Sequence, residues 1–398
     1  MAILSKTSRE LPQQRKDAQS SSSLVGGLGK TIERFLLQNL NSTLDVGENS
    51  YTGSFSIKVA EDNSGFLFIP NLPVSYALDA ELYFKIAHIA AGVLYPYKTL
   101  LVQNNAYFLP RSKSDPNTAR AFYFPLVNGI PTRLTIDEPL QEFIKKNSSE
   151  TALPLMANDF SLDMAHGIKH IGISGTSGSG KSFLAQYLIE NLASFSDIFV
   201  IVDPKLSSLY QLGKRLNVPV LAPKKGANLN GFISEVNEKL GEALKLIYQR
   251  QEELLNNPQA TFSKTYIVID ELLALTTGAA KASREAFSQL LMTIALLGRE
   301  TGVSLFLISQ RFDHTAFGGN VAIRDQINCS ILLGEVNKNT AQFLFPDTDV
   351  NSIVVPSGVG TGIIKIVDGQ HHPQIMPFLA PTYRIERTIS YENLQSNN

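Results

Sequence analysis

The chain has 398 residues, 43% of them hydrophobic, and a formal net charge of −1 at pH 7. Because one hydrophobic core serves about 100 to 200 residues, this length predicts two domains, or three. The near-neutral charge excludes a global positive field that recruits nucleic acid, so any DNA contact has to be local. A single cysteine, Cys329, excludes an internal disulfide framework. No run approaches the roughly 18 apolar residues that span a bilayer, which predicts a cytoplasmic protein.

The first 150 residues predict a tail followed by a small α+β domain. Residues 1–30 mix serine and glutamine with lysine and arginine, a composition typical of disorder, although a basic arm that touches DNA or anionic lipid stays open. Residues 31–150 contain no motif for catalysis. In this domain we predict a helix with Ile32, Phe35, Leu36 and Leu40 on its apolar stripe, a strand at 55–59 and a second helix at 75–94. Two hairpins are predicted to follow, one of 99–102 with 106–109 and one of 121–127 with 132–136 around Asn128 and Gly129.

Apolar strands alternate with amphipathic helices over residues 151–380, which predicts an α/β domain whose mostly parallel sheet is covered on both faces. The predicted strands are 170–174, 198–202, 266–269, 303–308 and 329–333. Between the second and the third of them we predict a helix with Ile233, Val236, Leu240, Leu244 and Ile247 on its buried face. Residues 381–398 are a short polar tail.

A glycine-rich loop links the first of these strands to a helix that begins near Lys181. The loop reads Gly175, Thr176, Ser177, Gly178, Ser179, Gly180, Lys181 and Ser182. In this context its backbone N–H groups converge on one point, where they bind a phosphate chain. Lys181 is expected to reach the β- and γ-phosphates, and the Ser182 hydroxyl to coordinate Mg²⁺.

Two acids end the strand at 266–269. Asp270 is expected to order the metal and Glu271 to polarise the water that attacks the γ-phosphate. On their own, two acids after a strand also fit a helix N-terminus, but the glycine-rich loop favours the catalytic interpretation. A GTPase needs a base-reading Asn-Lys-x-Asp, and Asn337-Lys338-Asn339-Thr340 lacks the acid. We therefore expect ATP and Mg²⁺ as the ligands.

Motifs in a fixed order over residues 165–370 resemble the FtsK/SpoIIIE branch of the FtsK/HerA ATPases. Besides the loop and the acid pair, they are Ile201-Val202-Asp203-Pro204-Lys205, Gly298-Arg299-Glu300-Thr301-Gly302-Val303 and Leu307-Ile308-Ser309-Gln310-Arg311. The resemblance implies a RecA-like P-loop NTPase core that assembles as a homo-hexameric ring and moves double-stranded DNA through its centre.

The same resemblance implies roles for further residues. Gln310 would sense the γ-phosphate, and Arg299 would be an arginine finger that reaches a neighbouring subunit's nucleotide, with Arg324 as the second choice. Asp203 and Lys205 belong to the pattern too, but an aspartate at a strand end is equally often a cap for the following turn. Both interpretations of this pair stay open.

Differences between this sequence and the FtsK/SpoIIIE pattern reduce the number of functions that the resemblance allows. The larger translocases of this group carry membrane helices ahead of the motor and a winged-helix domain after it, and we expect neither here. What remains resembles the small FtsK-like coupling ATPases of Gram-positive conjugative elements. The implied partners are a relaxase complex and a separate membrane protein of a secretion channel, which would place the chain at the inner face of the membrane.

DNA is expected to contact two loops, Thr276–Lys281 with Arg284, and Arg311 to Asn320 with His314. Ordinary solvated loops are the alternative at these positions. For the whole chain, the alternatives are a HerA-like repair or secretion ATPase and a nucleotide-binding adaptor without catalysis.

Overall fold

The computed structural model describes residues 13–44, 55–71, 78–103, 106, 108–111, 117–158, 160–167, 169–226, 228–346, 348, 350, 353–367 and 374–384, with side chains in the first helix from residue 29 onward. The chain forms two compact units, Met1–Ile130 and Pro131–Asn398. The sequence places the corresponding boundary near residue 150, and the structure divides the chain twenty residues earlier.

An antiparallel sheet with two helices forms the first unit. Its elements are α1 (Gln13–Leu44), β1 (Phe55–Val59), β2 (Gly65–Pro70), α2 (Ala80–Leu94), β3 (Lys98–Leu100), β4 (Phe108–Pro110) and β5 (Arg120–Asn128). Aromatic stacking builds its core, since the ring of Phe124 lies 4.7 Å from that of Phe66 and 4.5 Å from that of Tyr83. Asp79 begins α2, because its carboxylate accepts the N–H of Leu82.

Helix α1 differs from the predicted tail. Residues 13–30 were expected to be disordered, but they continue the helix whose buried stripe is Ile32, Leu36, Leu40 and Leu44. Adding residues to an existing helix costs far less free energy than nucleating a new one. The helix that the packed stripe stabilises therefore continues towards its N-terminus. Phe35, assigned to the stripe, is 48% exposed. Residues 1–12 of the predicted tail, and 75–77 of the predicted second helix, lie outside the described residues.

Among the residues that the structure describes, neither predicted hairpin forms. Strands β3 and β4 each pair antiparallel with β5 and not with each other, because the long β5 offers its backbone to both. The Asn128-Gly129 signal ends β5, and the Gly129 N–H bonds to the Tyr97 carbonyl. Pro131 follows and lacks the N–H that a returning strand needs. The segment beyond it, β6 (Thr135–Ile136), instead pairs in parallel with β17 (Thr382–Tyr383).

The second unit is built on an eight-stranded sheet. Its remaining elements are α3 (Leu140–Asn147), β7 (Leu153–Met156), β8 (Phe160–Leu162), β9 (Ile171–Gly175), α4 (Lys181–Leu192), β10 (Asp197–Val202), α5 (Ser208–Arg215), β11 (Val220–Leu221), α6 (Leu229–Asn256), β12 (Thr265–Ile269), α7 (Leu272–Thr276), α8 (Lys281–Thr301), β13 (Val303–Ser309), a 3-10 helix (Val321–Gln326), β14 (Cys329–Leu333), α9 (Lys338–Ala341), β15 (Thr361–Ile366) and β16 (Gln374–Leu379). The five strands predicted from the sequence are β9, β10, β12, β13 and β14.

The strand order is β11-β10-β12-β13-β9-β14-β15-β16, with parallel pairing from β11 to β14 and antiparallel pairing for the last two strands. The mostly parallel α/β sheet predicted from the sequence is thus confirmed. Helices α6 and α8 cover one face, and Ile233, Leu240 and Ile247 of α6 are buried in the core as predicted. None of the described helices combines the length and the apolarity needed to cross a bilayer.

Gly298 allows helix α8 to turn directly into β13. A Cβ at this position would overlap the carbonyl oxygen of Val303, the first residue of the strand. Gly241 lies inside α6, and a Cβ there would meet no atom within 4 Å.

We expect Gly298→Ala to lower the free energy of unfolding by about 1 to 3 kcal/mol, because the added methyl group forces the helix away from the strand. Gly241→Ala is the matched control and should raise the free energy of unfolding by roughly 0.5 to 1 kcal/mol, through helix propensity alone. Urea denaturation of both variants measures the difference. Equal effects of the two substitutions would contradict the close approach.

Candidate nucleotide site

The glycine-rich loop lies where β9 ends and α4 begins. Gly178 and Gly180 have φ angles of 80° and 100°, which L-residues with side chains rarely adopt. A Cβ on Gly180 would come within 3.2 Å of the backbone of Gly360, whose N–H donates to the carbonyl of Ser179. The loop is therefore held on one side by the segment that leads into β15.

A cavity of about 330 Å³ opens beside this loop. Its lining brings together the loop, the acid pair and the predicted sensor glutamine. The lining residues are Ser177, Gly178, Gly180, Lys181, Ser182, Phe183, Lys205, Ser207, Asp270, Glu271 and Gln310. Gly175, Thr176 and Ser179 complete the predicted loop, and Gly175 and Thr176 line a neighbouring cavity that also reaches Gln310.

Lys181 contacts the backbone of its own loop. Its ammonium donates to the carbonyl oxygens of Gly175 at 2.6 Å and Thr176 at 3.0 Å. Burial lowers the pKa of Lys181, and the positive charge of Lys205 lowers it further, against the attraction of Glu271 and Asp270. A cation in these surroundings gains strongly from an added anion.

Asp270 is a buried carboxyl at the end of β12. Its burial, followed by the negative charges of Asp203 and Glu271, raises the pKa of Asp270 to about 6. The Ser207 hydroxyl lies 2.8 Å from an Asp203 oxygen and 3.2 Å from an Asp270 oxygen. This concentration of negative charge favours a cation beside Asp270.

Glu271 begins α7 with a left-handed backbone at φ 49° and is 5% exposed. One of its oxygens, Oε2, accepts a hydrogen bond of 2.7 Å from the Lys205 ammonium. The other, Oε1, accepts the N–H of Gln310 at 3.2 Å and lies 3.4 Å from the Ser309 hydroxyl. A non-glycine residue in this conformation persists only where its surroundings hold it there.

The structure separates the roles of Asp203 and Lys205, which the sequence left open. Asp203 is fully buried and accepts the backbone N–H groups of Lys205, Ser207 and Tyr210, so it caps the turn after β10. Lys205 extends from that turn into the cavity. Sequence reasoning missed Ser207 and Ser309, because an isolated serine in a turn or at a strand end carries no distinctive signal.

The two candidate arginine fingers differ in their surroundings. Arg299 lies in the last turn of α8, its side chain is 67% exposed, and it is 3.8 Å from Glu300. The length of β13 separates it from Gln310, roughly 20 Å for seven residues in a strand. Arg324 is largely buried and donates to the carbonyl of Phe343 within its own chain.

The residues fit a nucleotide with its metal. Backbone N–H groups and Lys181 suit a phosphate chain, and the Ser182 hydroxyl and Asp270 carboxyl in the same cavity are oxygen ligands of the kind that Mg²⁺ prefers. A divalent cation would also offset the charge that raises the pKa of Asp270.

Comparisons with known proteins agree with this geometry. The AAA domain family matches residues 165–314, which include the loop, the acid pair and Gln310. An FtsK domain-containing protein of Bacillus subtilis, YdcQ, is 25% identical over 252 residues, or 63% of this chain and 48% of YdcQ. The chain thus spans about half the length of this relative.

Similar solved structures include the pCW3 conjugation coupling protein TcpA with ATPγS, at 18% identity over 89% of this chain and 96% of that one, with a TM-score of 0.47. The cytoplasmic domain of the type VII secretion ATPase EccC of Thermomonospora curvata is 22% identical over 61% of this chain and 30% of that one, with a TM-score of 0.44.

This P-loop domain matches the AAA domain family and is similar to an FtsK domain-containing protein. The resemblance to FtsK-like proteins and the P-loop NTPase fold predicted from the sequence are confirmed.

We expect Asp270→Asn to stabilise the protein above pH 6 when nucleotide and magnesium are left out. The native state holds the Asp270 proton up to a pKa of about 6, against an ordinary value of 3.8, so the native protein loses stability as the pH rises between these values. Asparagine removes this loss, which is worth roughly 1 to 3 kcal/mol at pH 7.

Urea unfolding between pH 4 and pH 7.5 checks this expectation, with Asp137→Asn as the control for an exposed carboxylate. The gain from Asp270→Asn should be near zero at pH 4 and reach its full size by pH 7. A gain independent of pH would show that the buried charge is not its source.

Proposed function

We propose that this chain is an ATP-driven motor that moves double-stranded DNA and serves as a coupling ATPase in conjugative transfer. The observation that carries the proposal is the meeting of two loops. One loop follows Glu271 through α7, and the other follows Gln310, so both begin at the nucleotide cavity. They adjoin where the backbone of Gly318 lies against Arg284.

These loops and the first turn of α8 carry groups suited to phosphate contact, and Lys281 and Arg284, which the sequence assigned to a loop, lie in that turn. Lys281 and His314 are exposed, and Arg284 is half-buried beside Gly318. Arg311 is instead directed to its own chain, with its guanidinium 5.6 Å from the ring centroid of Phe343 and 3.5 Å from Asp313. A change at Glu271 or Gln310 during hydrolysis is thus connected through short segments to Lys281 and Arg284.

The cavity supports a division of catalytic roles. Lys181 binds the β- and γ-phosphates, Glu271 accepts a proton from the attacking water, and Gln310 contacts the γ-phosphate. Ser182 and Asp270 would hold Mg²⁺, which would neutralise phosphate charge during transfer. The remaining loop residues, Gly175 to Gly180, supply backbone N–H groups.

A ring of identical subunits completes both the site and the DNA contact. Arg299 lies too far from its own Gln310 to reach the same nucleotide, so as a finger it serves a neighbour. Several copies of Lys281 and Arg284 around one pore bind DNA although each chain is nearly neutral. We infer a homo-hexamer that hands DNA from a relaxase complex to a separate membrane protein of a secretion channel, at the cytoplasmic face.

DNA-stimulated hydrolysis tests this function. Double-stranded DNA should raise the ATPase rate of the unaltered chain severalfold, and Glu271→Gln should abolish turnover with or without DNA. Lys281→Ala should require several times more DNA for half-maximal stimulation and show a shallower salt dependence, because each subunit loses a phosphate contact. Lys224→Ala, an exposed lysine in an ion pair with Glu235, is the matched control and should behave as the unaltered chain.

Two outcomes of that assay would contradict the proposal. Hydrolysis that depends on Glu271 but ignores double-stranded DNA would favour a secretion ATPase. No Glu271-dependent turnover, with DNA and partner proteins present, would favour a nucleotide-binding adaptor.

The finger assignment predicts complementation between subunits. Arg299→Ala alone should lose about a thousandfold in turnover, because the transferring phosphoryl group loses its charge partner. Lys181→Ala alone should fail to bind nucleotide. Mixed rings should regain part of the activity, since an Arg299→Ala subunit still has an intact pocket and a Lys181→Ala neighbour still supplies the arginine. If mixing restores nothing while Arg324→Ala subunits complement, the finger is Arg324.

A further inference from the structure

Lys205 lies on a turn that the structure holds rigidly. Asp203 accepts three backbone N–H groups of residues 205–210, and the neighbouring Leu206 has a φ angle of 53°. The backbone position of Lys205 is therefore set by the fold, while its side chain remains 46% exposed. A lysine side chain on a fixed base can change its partner without any backbone movement.

Each oxygen of the Glu271 carboxylate already accepts a hydrogen bond. Oε1 accepts the backbone N–H of Gln310, and its position is fixed by the end of β13. Oε2 accepts the Lys205 ammonium at 2.7 Å. A general base must accept a hydrogen bond from the water that it activates. Of the two donors, only the Lys205 side chain can move away without a backbone shift, so Oε2 is the oxygen that can be released from its partner.

A terminal phosphate in the cavity competes for that group. Lys205 and Lys181 line the same cavity, so two ammonium groups face the space that a terminal phosphate would occupy. The terminal phosphate of ATP carries more negative charge than one carboxylate and offers three oxygens. ADP does not extend to this position, so with ADP the Lys205–Glu271 pair has no competitor.

We propose that Lys205 reads the terminal phosphate of ATP and, by moving to it, frees Glu271 Oε2 for the attacking water. Lys205 is then a positioning residue that makes the base available only when there is a phosphoryl group to transfer. This inference rests on the proposed ATPase site but not on DNA as the cargo.

Nucleotide binding tests the inference, with ATPγS and ADP titrated separately into the full chain without DNA. Lys205→Gln should weaken ATPγS about tenfold, since a charged hydrogen bond is lost, and leave ADP within twofold. Lys205→Arg keeps the charge and should retain most of the preference for ATPγS. Lys224→Gln is the matched control, and melting temperatures without nucleotide confirm that each variant is folded.

Structures of the unaltered chain with each nucleotide provide the second measurement. With ATPγS, the Lys205 ammonium should lie within about 3 Å of a terminal phosphate oxygen and more than about 4 Å from Glu271. With ADP, the ion pair should remain. Equal weakening of both nucleotides by Lys205→Gln, or an intact pair beside ATPγS, would overturn the inference.

These results separate the two proposals. If Lys205 behaves as expected and DNA has no effect on hydrolysis, the sensor stands and the DNA motor falls. If the unaltered chain binds neither nucleotide, the ATPase site itself is wrong. If both nucleotides bind but Lys205→Gln does not discriminate between them, only the role of Lys205 is refuted.

Discussion

The parallel pairing of β10, β12, β13 and β9 is the constraint on which the rest of the site depends. In register, Val202 pairs with Ile269, Ile269 with Leu307, and Leu307 with Gly172, so all four strands end at one edge of the sheet. The residues that follow each strand therefore meet: the turn of Asp203 and Lys205, the acid pair, Gln310 and the glycine-rich loop. Ser177 and Gln310, which are 133 positions apart in the sequence, line one cavity as a result.

This convergence has an energetic cost. Burial beside Asp203 and Glu271 raises the pKa of Asp270, and burial lowers the pKa of Lys181. The charged form of each side chain is therefore less favourable in the folded protein than in the unfolded chain. Internal pairing offsets part of the cost, through Lys205 on Glu271 and through the loop carbonyls on Lys181. A bound nucleotide and metal would offset more of it. The same arrangement that destabilises the protein slightly prepares it to bind a charged ligand tightly.

Local backbone conformation then orients the charged side chains of the site. The left-handed conformation of Glu271 turns its carboxylate towards Gln310 and Lys205, and the Asp203 cap fixes the base of Lys205. The residues that line the cavity are thus joined by short segments to the place where Arg284 and Gly318 adjoin.

The sequence by itself determined the α/β core, the five central strands and the chemical identity of the loop and acid pair, because hydrophobic periodicity and a phosphate-binding loop are local in the chain. It failed where pairing partners lie far apart. The expected hairpins do not form because β3 and β4 both pair with β5, residues 13–30 belong to a helix, and Phe35 is exposed. Only the tertiary structure decided that Asp203 is a cap, that Lys205 pairs with Glu271, and that Arg299 lies at the opposite end of β13 from Gln310. The positions of these residues depend on which strand ends adjoin, and strand order is a long-range property that no single segment encodes.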